Sequence, residues 1–442
     1  MEHNYKKDIL VTGFALFAMF FGAGNLIFPP FLGWSCGTNW IAGIACFIIV
    51  DVGLSLLVLF VLAKKGRGAQ GLTEELGQHL SAFILSANVI CIGPLIAIPR
   101  TAATAFELAV RPVFPAANSW LFSAAFFTLV VLLSLRRSKA LDIIGTVLAP
   151  TSFAALLFLI GRGILHPLGA VTVSAPAASA VQAGILSGYQ TMDMMGTVIF
   201  SSALLFSITH KGYTQARDQF KVIAGAGLVS GAALTAVYGG LAYVGATMCA
   251  RTGLLDRSAL LVTITKGLLG EYGFLLLGVI VSVACLSTAV GLVSSASSFF
   301  ADRYQGRVSY PLLVLVFAAL SCLISNLGLG SIIAHAAPLL DLIYPVLLTV
   351  TVAGLFHRHI RSRLVYAFPT AAAFLVSLAA LADKIFNINL HVRQLPLSGL
   401  GLAWVVPVLV CGLIGALVFN RKKRTSEDHG NTAECGTTIV NV

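Results

Sequence analysis

Residues 20–31 read Phe-Phe-Gly-Ala-Gly-Asn-Leu-Ile-Phe-Pro-Pro-Phe, and they place helix-breaking residues inside the first apolar stretch of the chain. Gly22, Gly24 and Asn25 lie about halfway along that stretch, which begins at Ile9. Lipid offers no hydrogen bonds to exposed backbone groups, so a broken helix persists at this depth only where it lines a cavity. The pattern is typical of a discontinuous helix in a secondary transporter, where freed N–H and C=O groups meet an ion or a small solute.

The composition of the chain predicts an integral membrane protein. Hydrophobic residues make up 58% of the 442 residues, charged residues make up 10%, and the mean hydropathy is +0.93. A helical span needs about 20 mostly apolar residues. The apolar segments predict twelve spans, at about residues 9–36, 39–63, 80–108, 119–135, 140–161, 184–208, 222–250, 271–300, 310–327, 331–356, 364–383 and 398–420.

The distribution of basic residues predicts the orientation of these spans, because Lys and Arg accumulate in cytoplasmic connections. With a cytoplasmic N-terminus, twenty of the 28 Lys and Arg residues fall on the inner side and eight, Arg100 among them, on the outer side. Both termini are therefore predicted to be cytoplasmic. The same bias explains the net charge of +11, so no nucleic-acid partner is expected.

A second break is predicted in the sixth span, where residues 188–197 read Gly-Tyr-Gln-Thr-Met-Asp-Met-Met-Gly-Thr. Asp193 lies between the two glycines and near the middle of the span. A charged side chain at that depth is costly and indicates a functional site. The alternative is that the glycines of both segments only allow helices to pack closely.

The two breaks occupy corresponding positions in two halves of five spans each, as an inverted repeat requires. The predicted fold class is accordingly an all-α membrane protein with discontinuous first and sixth helices. Its predicted parts are a cytoplasmic N-terminus at 1–8, a first repeat at 9–161, a second repeat at 184–356, two peripheral spans at 364–420, and a disordered cytoplasmic tail at 421–442.

Four segments resemble sequence motifs of a known family. They are residues 7–31, Lys-Asp-Ile-Leu-Val-Thr-Gly-Phe-Ala-Leu-Phe-Ala-Met-Phe-Phe-Gly-Ala-Gly-Asn-Leu-Ile-Phe-Pro-Pro-Phe; residues 93–102, Gly-Pro-Leu-Ile-Ala-Ile-Pro-Arg-Thr-Ala; residues 188–193, Gly-Tyr-Gln-Thr-Met-Asp; and residues 343–345, Ile-Tyr-Pro. Together they are similar to motifs of the branched-chain amino acid:cation symporters, the bacterial BrnQ-type carriers. The likeness runs from about residue 7 to 420, and its first motif is highly specific whereas its last is weak.

The resemblance implies a LeuT-type fold of five plus five inverted helices with two peripheral helices. It implies a multi-pass protein of the bacterial cytoplasmic membrane, surrounded by the lipid bilayer. It also implies Na⁺-driven uptake of leucine, isoleucine and valine, with Na⁺ as the coupling ion and no organic cofactor. The sequence assigns no oligomeric state.

The resemblance further implies positions for the ligands. Matched onto the broken first helix of that fold, the amides of Gly22, Ala23 and Gly24 face the substrate carboxylate, as suits the N-terminus of a half-helix. One sodium site is implied at backbone and side-chain oxygens of the two breaks: Phe20, Phe21, Asn25 and Thr191. A second sodium site is implied at two hydroxyls and two carbonyls: Ser287, Thr288, Ala18 and Phe21.

The chemistry of an aliphatic amino acid supports such a site without the family. The zwitterion needs N–H donors for its carboxylate, acceptors for its ammonium and an apolar pocket. Asp193 or free carbonyls offer acceptors, and the predicted substrate residues also include Asn25, Tyr189 and Met192. Large apolar side chains flank the breaks and are expected around the aliphatic part: Phe20, Phe21, Met192, Met194 and Met195. Alternatively, these side chains only pack, and the hydroxyls of the eighth span bond backbone carbonyls.

Four charged residues receive no assigned role: Asp51, Arg100, Glu107 and Asp341. Asp51 stands in mid-span where the family is associated with an uncharged residue, and it is either a protonatable site or a neutral packing carboxyl. Arg100 either flanks the central cavity, belongs to an outer gate, or forms an interfacial ion pair with Glu107.

Other classes of function lack their sequence signals, so the protein is not expected to be an enzyme or a channel. The sequence contains no His/Glu metal cluster, nucleophile elbow or P-loop that would indicate an enzyme. It contains no repeated filter or pore-lining ring that would indicate a channel. Among transporters, the alternative to a Na⁺-coupled importer is a proton-coupled or exchange carrier of another neutral amino acid.

Overall fold

The structure is a computed structural model, and it describes residues 5–65, 68–135, 149–172, 175–249, 256–304, 307–357, 359–360, 362–386 and 390–422. The predictions made for residues 1–4, for the start of the fifth span at 140–148 and for the tail from 423 to 442 lie outside these ranges.

The described chain is built from α-helices. They are α1 (Tyr5–Phe20), α2 (Ala23–Cys36), α3 (Trp40–Ile48), α4 (Leu54–Lys65), α5 (Gly68–Thr73), α6 (Gln78–Ile90), α7 (Ile98–Ala105), α8 (Ser119–Ser134), α9 (Ala149–Leu165), α10 (Ala177–Thr191), α11 (Asp193–His210), α12 (Ala216–Ala246), α13 (Arg257–Leu269), α14 (Glu271–Arg303), α15 (Tyr310–Ser325), α16 (Leu329–Leu355), α17 (Arg363–Phe386) and α18 (Val405–Lys422). Turns of π-helix join α3 to α4 at Ile49–Gly53 and α6 to α7 at Cys91–Ala97, and a third follows α7 at Phe106–Val110.

Many of these helices are long and apolar enough to cross a membrane. Seven segments of the described chain meet that condition, and the bent pair of α1 and α2 makes an eighth. Four shorter apolar helices lie where further spans are predicted: Ser119–Ser134, Pro150–Leu165, Tyr310–Ser325 and Val405–Phe419. The protein is therefore an all-helical, multi-pass membrane protein, while the count of twelve spans and the five-plus-five repeat stay predictions.

The first predicted break is confirmed, at a slightly different place. α1 ends at Phe20 and α2 begins at Ala23, and the two helices are bent by 74°. Gly24 and Asn25 were expected in the break, but they form the first turn of α2. The expectation was wrong in this detail. The Asn25 amide donates to side chains of other helices, so it does not compete for the backbone hydrogen bonds of α2.

The second break is a single residue, Met192, between α10 and α11. Its φ of 71° and ψ of 12° are left-handed, a conformation that residues other than glycine seldom adopt. Asp193 was expected in an unwound segment, but it is the first residue of α11. Since one left-handed residue is enough to redirect the chain, Gly188 and Gly196 both remain helical.

The long helix α12 holds the first broken helix in place. It packs against α1, α2 and α4. Its crossing with α2 is so close that a Cβ at Gly33 would overlap the carbonyl oxygen of Ala242, and a Cβ at Gly245 would overlap that of Pro30. Small residues permit such backbone contact in a membrane, where packing contributes most of the attraction between helices.

The second broken helix packs into the same bundle. α10 lies against α2 and α3, and α11 lies against α4 and α14. α14 in turn packs against α7, which leads away from the kink at Gly93 and Pro94. Residues from α1, α2, α7, α10, α11 and α14 are therefore brought close together.

The chain divides by its contacts into two units. One comprises residues 1–72 and 83–341, and the other comprises 73–82 and 342–442. In the second unit, α17 packs along α18. The last span was expected from residue 398, but its helix begins at Val405, because 3₁₀ turns with left-handed backbone at Leu397 and Gly401 precede it.

Candidate substrate and ion site

Both helix breaks border one cavity of about 30 Å³ within the first unit. It is lined by eight of the predicted site residues: Phe20, Gly22, Ala23, Asn25, Thr191, Met192, Asp193 and Thr288. The remaining lining residues are Met19, Ile92, Ala97, Arg100, Thr101, Gly196, Phe200 and Leu292. The cavity thus combines polar groups from both breaks with an apolar wall.

Asn25 connects the two broken helices. Its amide nitrogen donates to Oδ2 of Asp193 at 2.7 Å and to the hydroxyl of Tyr238 on α12. The side chain is almost completely buried, with 1% of its surface exposed. Because the amide nitrogen has two hydrogens and donates both, Oδ1 is the atom of this side chain that remains to accept a donor or bind a cation.

Thr191 and Asp51 form a second polar contact beside Met192. The hydroxyl of Thr191 lies 2.5 Å from Oδ1 of Asp51 and 2.6 Å from the carbonyl oxygen of Gly188. Asp51 is fully buried and also faces Asp193. It lies in the π-helical turn between α3 and α4, a distortion that is frequent at functional sites. The core of the protein therefore holds two neighbouring carboxylates.

Arg100 lines the cavity from α7, as the first of its predicted alternatives holds, and it does not lie in an outer connection. Its side chain is 5% exposed. Nη1 donates to the carbonyl oxygen of Gln190 at 2.6 Å, and Nη2 donates to that of Thr191 at 3.1 Å. Carbonyls at the end of a helix have no partner within the helix. Arg100 supplies the missing hydrogen-bond donors for the last two carbonyls of α10.

Glu107 lies apart from Arg100, and in the described part of the chain the two do not form an ion pair. The Glu107 carboxylate instead accepts from the hydroxyl of Ser258 at 3.3 Å and from the backbone N–H of Leu329 at 3.2 Å. Ser258 and Leu329 lie in the first turns of α13 and α16, where a carboxylate complements the positive end of each helix. Glu107 thus binds the first turns of two helices, α13 and α16.

The two neighbouring hydroxyls of α14 have different surroundings. Thr288 lines the cavity, and its Oγ1 lies 3.5 Å from the carbonyl oxygen of Phe21 in the first break. The hydroxyl of Ser287 donates to the carbonyl of Ala284 in its own helix at 2.9 Å. The structure therefore brings Thr288 and Phe21 together, while Ser287 is bonded as the packing alternative expects. The role of both in binding sodium stays a prediction.

Five other predicted site residues do not line the cavity: Ala18, Phe21, Gly24, Tyr189 and Ser287. Met194 and Met195 are also buried away from it. Gly188 follows the packing alternative, because a Cβ there would lie 2.9 Å from Cβ of Val50.

Sequence reasoning missed Tyr238 and assigned no role to Asp51 or Arg100. Tyr238 is fully buried in α12, and its hydroxyl accepts from Asn25. A signal was present, because a tyrosine in the middle of an apolar span needs a partner for its hydroxyl. The sequence could not identify that partner, which lies 213 positions away in the chain.

A short helix contacts both broken helices. α13 falls in a stretch where the sequence predicted only an outer connection. The guanidinium of Arg257 lies 5.0 Å from the ring centroid of Phe28 and 5.1 Å from that of Phe31, both on α2. Its Nη1 is 3.4 Å from Oε1 of Gln190 on α10. These cation–π and polar contacts connect α13 to both broken helices.

Solved structures of transporters share this fold. The chain is similar over 94% of its length, with a TM-score of 0.60 and 15% identity, to Mhp1, a nucleobase-cation-symport-1 family transporter in a closed conformation with bromovinylhydantoin bound, of which 93% is covered. It is similar over 93% of its length, with a TM-score of 0.62 and 12% identity, to a Na⁺-coupled sialic acid symporter in an outward-open state, of which 90% is covered. At these identities the likeness shows the fold alone.

The sequence itself is similar to amino-acid carriers. The family model described as "Branched-chain amino acid transport protein" matches residues 5–422. The branched-chain amino acid permease BraB of Bacillus subtilis (strain 168) is 33% identical over 430 residues, which cover 94% of this chain and 96% of BraB. The chain belongs to the branched-chain amino acid transport protein family.

Proposed function

We propose that the protein is a sodium-coupled importer of leucine, isoleucine and valine. The observation that carries this proposal is that two helix breaks, at Phe21–Gly22 and at Met192, meet at one cavity with Asn25, Thr191 and Asp193. Broken helices offer backbone N–H groups to an anion and carbonyls to a cation at the same depth. A zwitterion and a sodium ion together need that combination of groups.

The charges of the core support coupling to a cation. Asp51 and Asp193 are neighbouring carboxyl groups, and two carboxylates side by side do not both ionise unless a cation lies near them. Arg100 supplies one positive charge at the same cavity, and a zwitterionic substrate adds no net charge. Bound Na⁺ therefore supplies the further positive charge that keeps both carboxylates ionised, since an uncompensated charge in a buried site is costly.

The proposed binding mode assigns each part of the ligands to groups of the two breaks and of α14. The carboxylate of the substrate meets the amides of Gly22, Ala23 and Gly24 at the start of α2, and its ammonium meets Asp193. One sodium ion binds at Oδ1 of Asn25 with nearby oxygens: Phe20, Phe21 and Thr191. A second sodium site is formed at Thr288 with the carbonyls of Phe21 and Ala18. The aliphatic side chain meets the apolar wall that includes Met192 and Phe200.

The site must open for a substrate to enter. A cavity of about 30 Å³ holds little more than water, whereas ligand pockets measure about 300 Å³ or more. Rigid motion of one group of helices against another is the usual way in which transporters of this kind expose their sites. α13 contacts both broken helices, so such a motion would change its contacts with them.

The names of similar proteins support the same proposal. BraB is named a branched-chain amino acid permease, and the sialic acid symporter is named as Na⁺-coupled. We place this protein in the bacterial cytoplasmic membrane with both termini in the cytoplasm. The alternative is a proton-coupled or exchange carrier of another neutral amino acid.

Uptake of radiolabelled leucine into proteoliposomes tests the proposal. Purified protein is reconstituted, and uptake is compared under an inward Na⁺ gradient, an equal K⁺ gradient, and a pH gradient without Na⁺. We expect accumulation only with Na⁺, and competition by unlabelled isoleucine and valine but not by glutamate. Equal uptake driven by the pH gradient would favour the alternative, and no leucine uptake under any gradient would contradict the proposal.

A further inference from the structure

The buried cation at the cavity has hydrogen-bonding capacity that the protein itself does not use. Arg100 lines the cavity between the two breaks with 5% of its surface exposed. A guanidinium has five N–H donors and no acceptor. Nη1 and Nη2 each donate one hydrogen bond, to the carbonyls of Gln190 and Thr191. Nε has no acceptor among the described residues.

The unused donors match the shape of a carboxylate. The Nε–H and one Nη–H of a guanidinium are nearly parallel, and they bind the two oxygens of a carboxylate side by side. The carbonyls at the end of α10 occupy donors on the two Nη atoms, so the Nε edge stays available. A buried donor without an acceptor costs free energy, which a bound carboxylate would recover.

The start of α2 lies directly against the same guanidinium. A Cβ at Gly24 would lie 2.8 Å from Nη2 of Arg100, so a larger residue there would displace the guanidinium. α2 begins without a side-chain cap and without an acidic residue in its first turn. The N-terminus of a helix carries a partial positive charge. Two positive groups therefore lie side by side, and an anion between them would be attracted by both.

We propose that Arg100 binds the α-carboxylate of the transported amino acid through its Nε edge, together with the amides at the start of α2. This inference rests on the proposed function, because it takes the substrate to be an amino acid. Arg100 then makes the site specific for ligands with a free carboxylate. An amine or an amide with the same aliphatic side chain lacks the two anionic oxygens that accept the two hydrogen bonds of the guanidinium. Because Arg100 also bonds the end of α10, the same side chain joins the substrate to the second break.

The test compares leucine with leucinamide, in which a carboxamide replaces the carboxylate. Affinities for the purified protein are measured by isothermal titration calorimetry with Na⁺ present, at about pH 6, where both α-amino groups are protonated. We expect the natural protein to bind leucine about 10- to 100-fold more tightly than leucinamide, the size of a charge-assisted hydrogen bond. In Arg100→Gln, leucine affinity should fall by that factor while leucinamide affinity stays within about threefold.

Two further variants complete the test, and the first keeps the inference testable if Arg100→Gln does not fold. Arg100→Lys retains the charge but not the paired donors, and we expect an intermediate preference for leucine. Thr104→Val is the matched control, because Thr104 is buried one turn away on α7 and does not line the cavity. Its preference for leucine should equal that of the natural protein.

The outcomes separate the inference from the function on which it rests. If the natural protein prefers leucine and Arg100→Gln keeps that preference, the α2 amides alone bind the carboxylate and the inference is wrong. An equal loss of affinity for both ligands would make Arg100 a structural partner of α10, and would also overturn it. If the natural protein binds no leucine, the proposed function fails, and the inference fails with it.

Discussion

At the scale of single residues, Asn25 joins Asp193 of the second broken helix to Tyr238 of α12. Replacing Asn25 by Leu removes its hydrogen bonds to Asp193 and Tyr238 and the oxygen that we assign to sodium. We expect Na⁺-dependent leucine uptake to fall at least about tenfold, since hydrogen bonds to charged groups contribute about 1.5–3 kcal/mol each. Uptake is measured in proteoliposomes with equal amounts of protein.

The control for this prediction is Asn88→Leu on α6. Asn88 is also fully buried and donates to the carbonyl of Met195, but it does not line the cavity. This variant should lose stability and keep the normal dependence of uptake on Na⁺. Unchanged sodium dependence in Asn25→Leu would remove Asn25 from the ion site.

Asp193 and Asp51 offer a second residue-scale prediction, because only Asp193 lines the cavity. We assign Asp193 to the substrate ammonium, so Asp193→Asn should raise the leucine concentration for half-maximal uptake about tenfold or more. Asp51 bonds Thr191 and faces Asp193, but it does not line the cavity where the substrate binds. Asp51→Asn should therefore change leucine affinity less. A normal response of Asp193→Asn to leucine and to Na⁺ would exclude Asp193 from the site.

The sequence predicted a role at the site for some of these residues and not for others. Asp193 was expected at the site because a carboxylate in mid-span is costly unless it meets a cation or is protonated. Arg100 and Asp51 were singled out for the same reason, but their partners come from distant segments, at residues 190 and 191. Such pairing depends on how the helices cross, which local periodicity does not contain. Tyr238 was not predicted because a tyrosine in a membrane helix is a weak signal by itself.

At the scale of elements, α14 contributes one hydroxyl to the cavity and turns the next one to its own backbone. Thr288 lies near the Phe21 carbonyl, whereas Ser287 bonds Ala284. We therefore expect Thr288→Val to raise the Na⁺ concentration for half-maximal uptake about tenfold or more, and Ser287→Ala to leave it within about twofold. The two single variants are matched controls for each other. A large effect of Ser287→Ala alone would mean that its hydroxyl turns toward sodium in the loaded state.

The crossing of α2 and α12 gives a prediction about stability. In Gly245→Ala the new Cβ would overlap the carbonyl oxygen of Pro30, so the helices must separate. We expect a loss of about 1–3 kcal/mol, the usual cost of overpacking, seen as a lower melting temperature in detergent. Gly239→Ala on the same helix is the control, because its Cβ would meet no atom within 4 Å. Equal melting temperatures for the two variants would contradict the close crossing.

Sequence patterns predicted which helices are broken better than they predicted where each break lies. Both broken helices were predicted from glycine and polar residues in apolar spans, and both exist. The second break occurs at Met192, a residue that disfavours left-handed backbone, so tertiary packing decides its position. The three π-helical turns and α13 were not predicted. A π-helical turn differs from an α-helix by a single inserted residue, and no composition rule marks it.

At the scale of the whole molecule, the charge distribution predicts an orientation that the fold alone does not reveal. Twenty of the 28 basic residues lie on one side if the chain crosses twelve times with a cytoplasmic N-terminus. Adding or losing one crossing would move the following basic clusters to the opposite side. The number of spans and the position of both termini are therefore tested together.

Reporter fusions measure this orientation directly. Alkaline phosphatase is active only outside the cytoplasm, and green fluorescent protein exported in unfolded form fluoresces only inside it. After Val442, we expect a fluorescent protein to be bright and phosphatase to be inactive. After Pro167, which follows the fifth predicted span, we expect the reverse, because five crossings end on the outer side. Active phosphatase at Val442 would require an odd number of spans, and the two five-helix halves could then not be followed by a pair of peripheral helices.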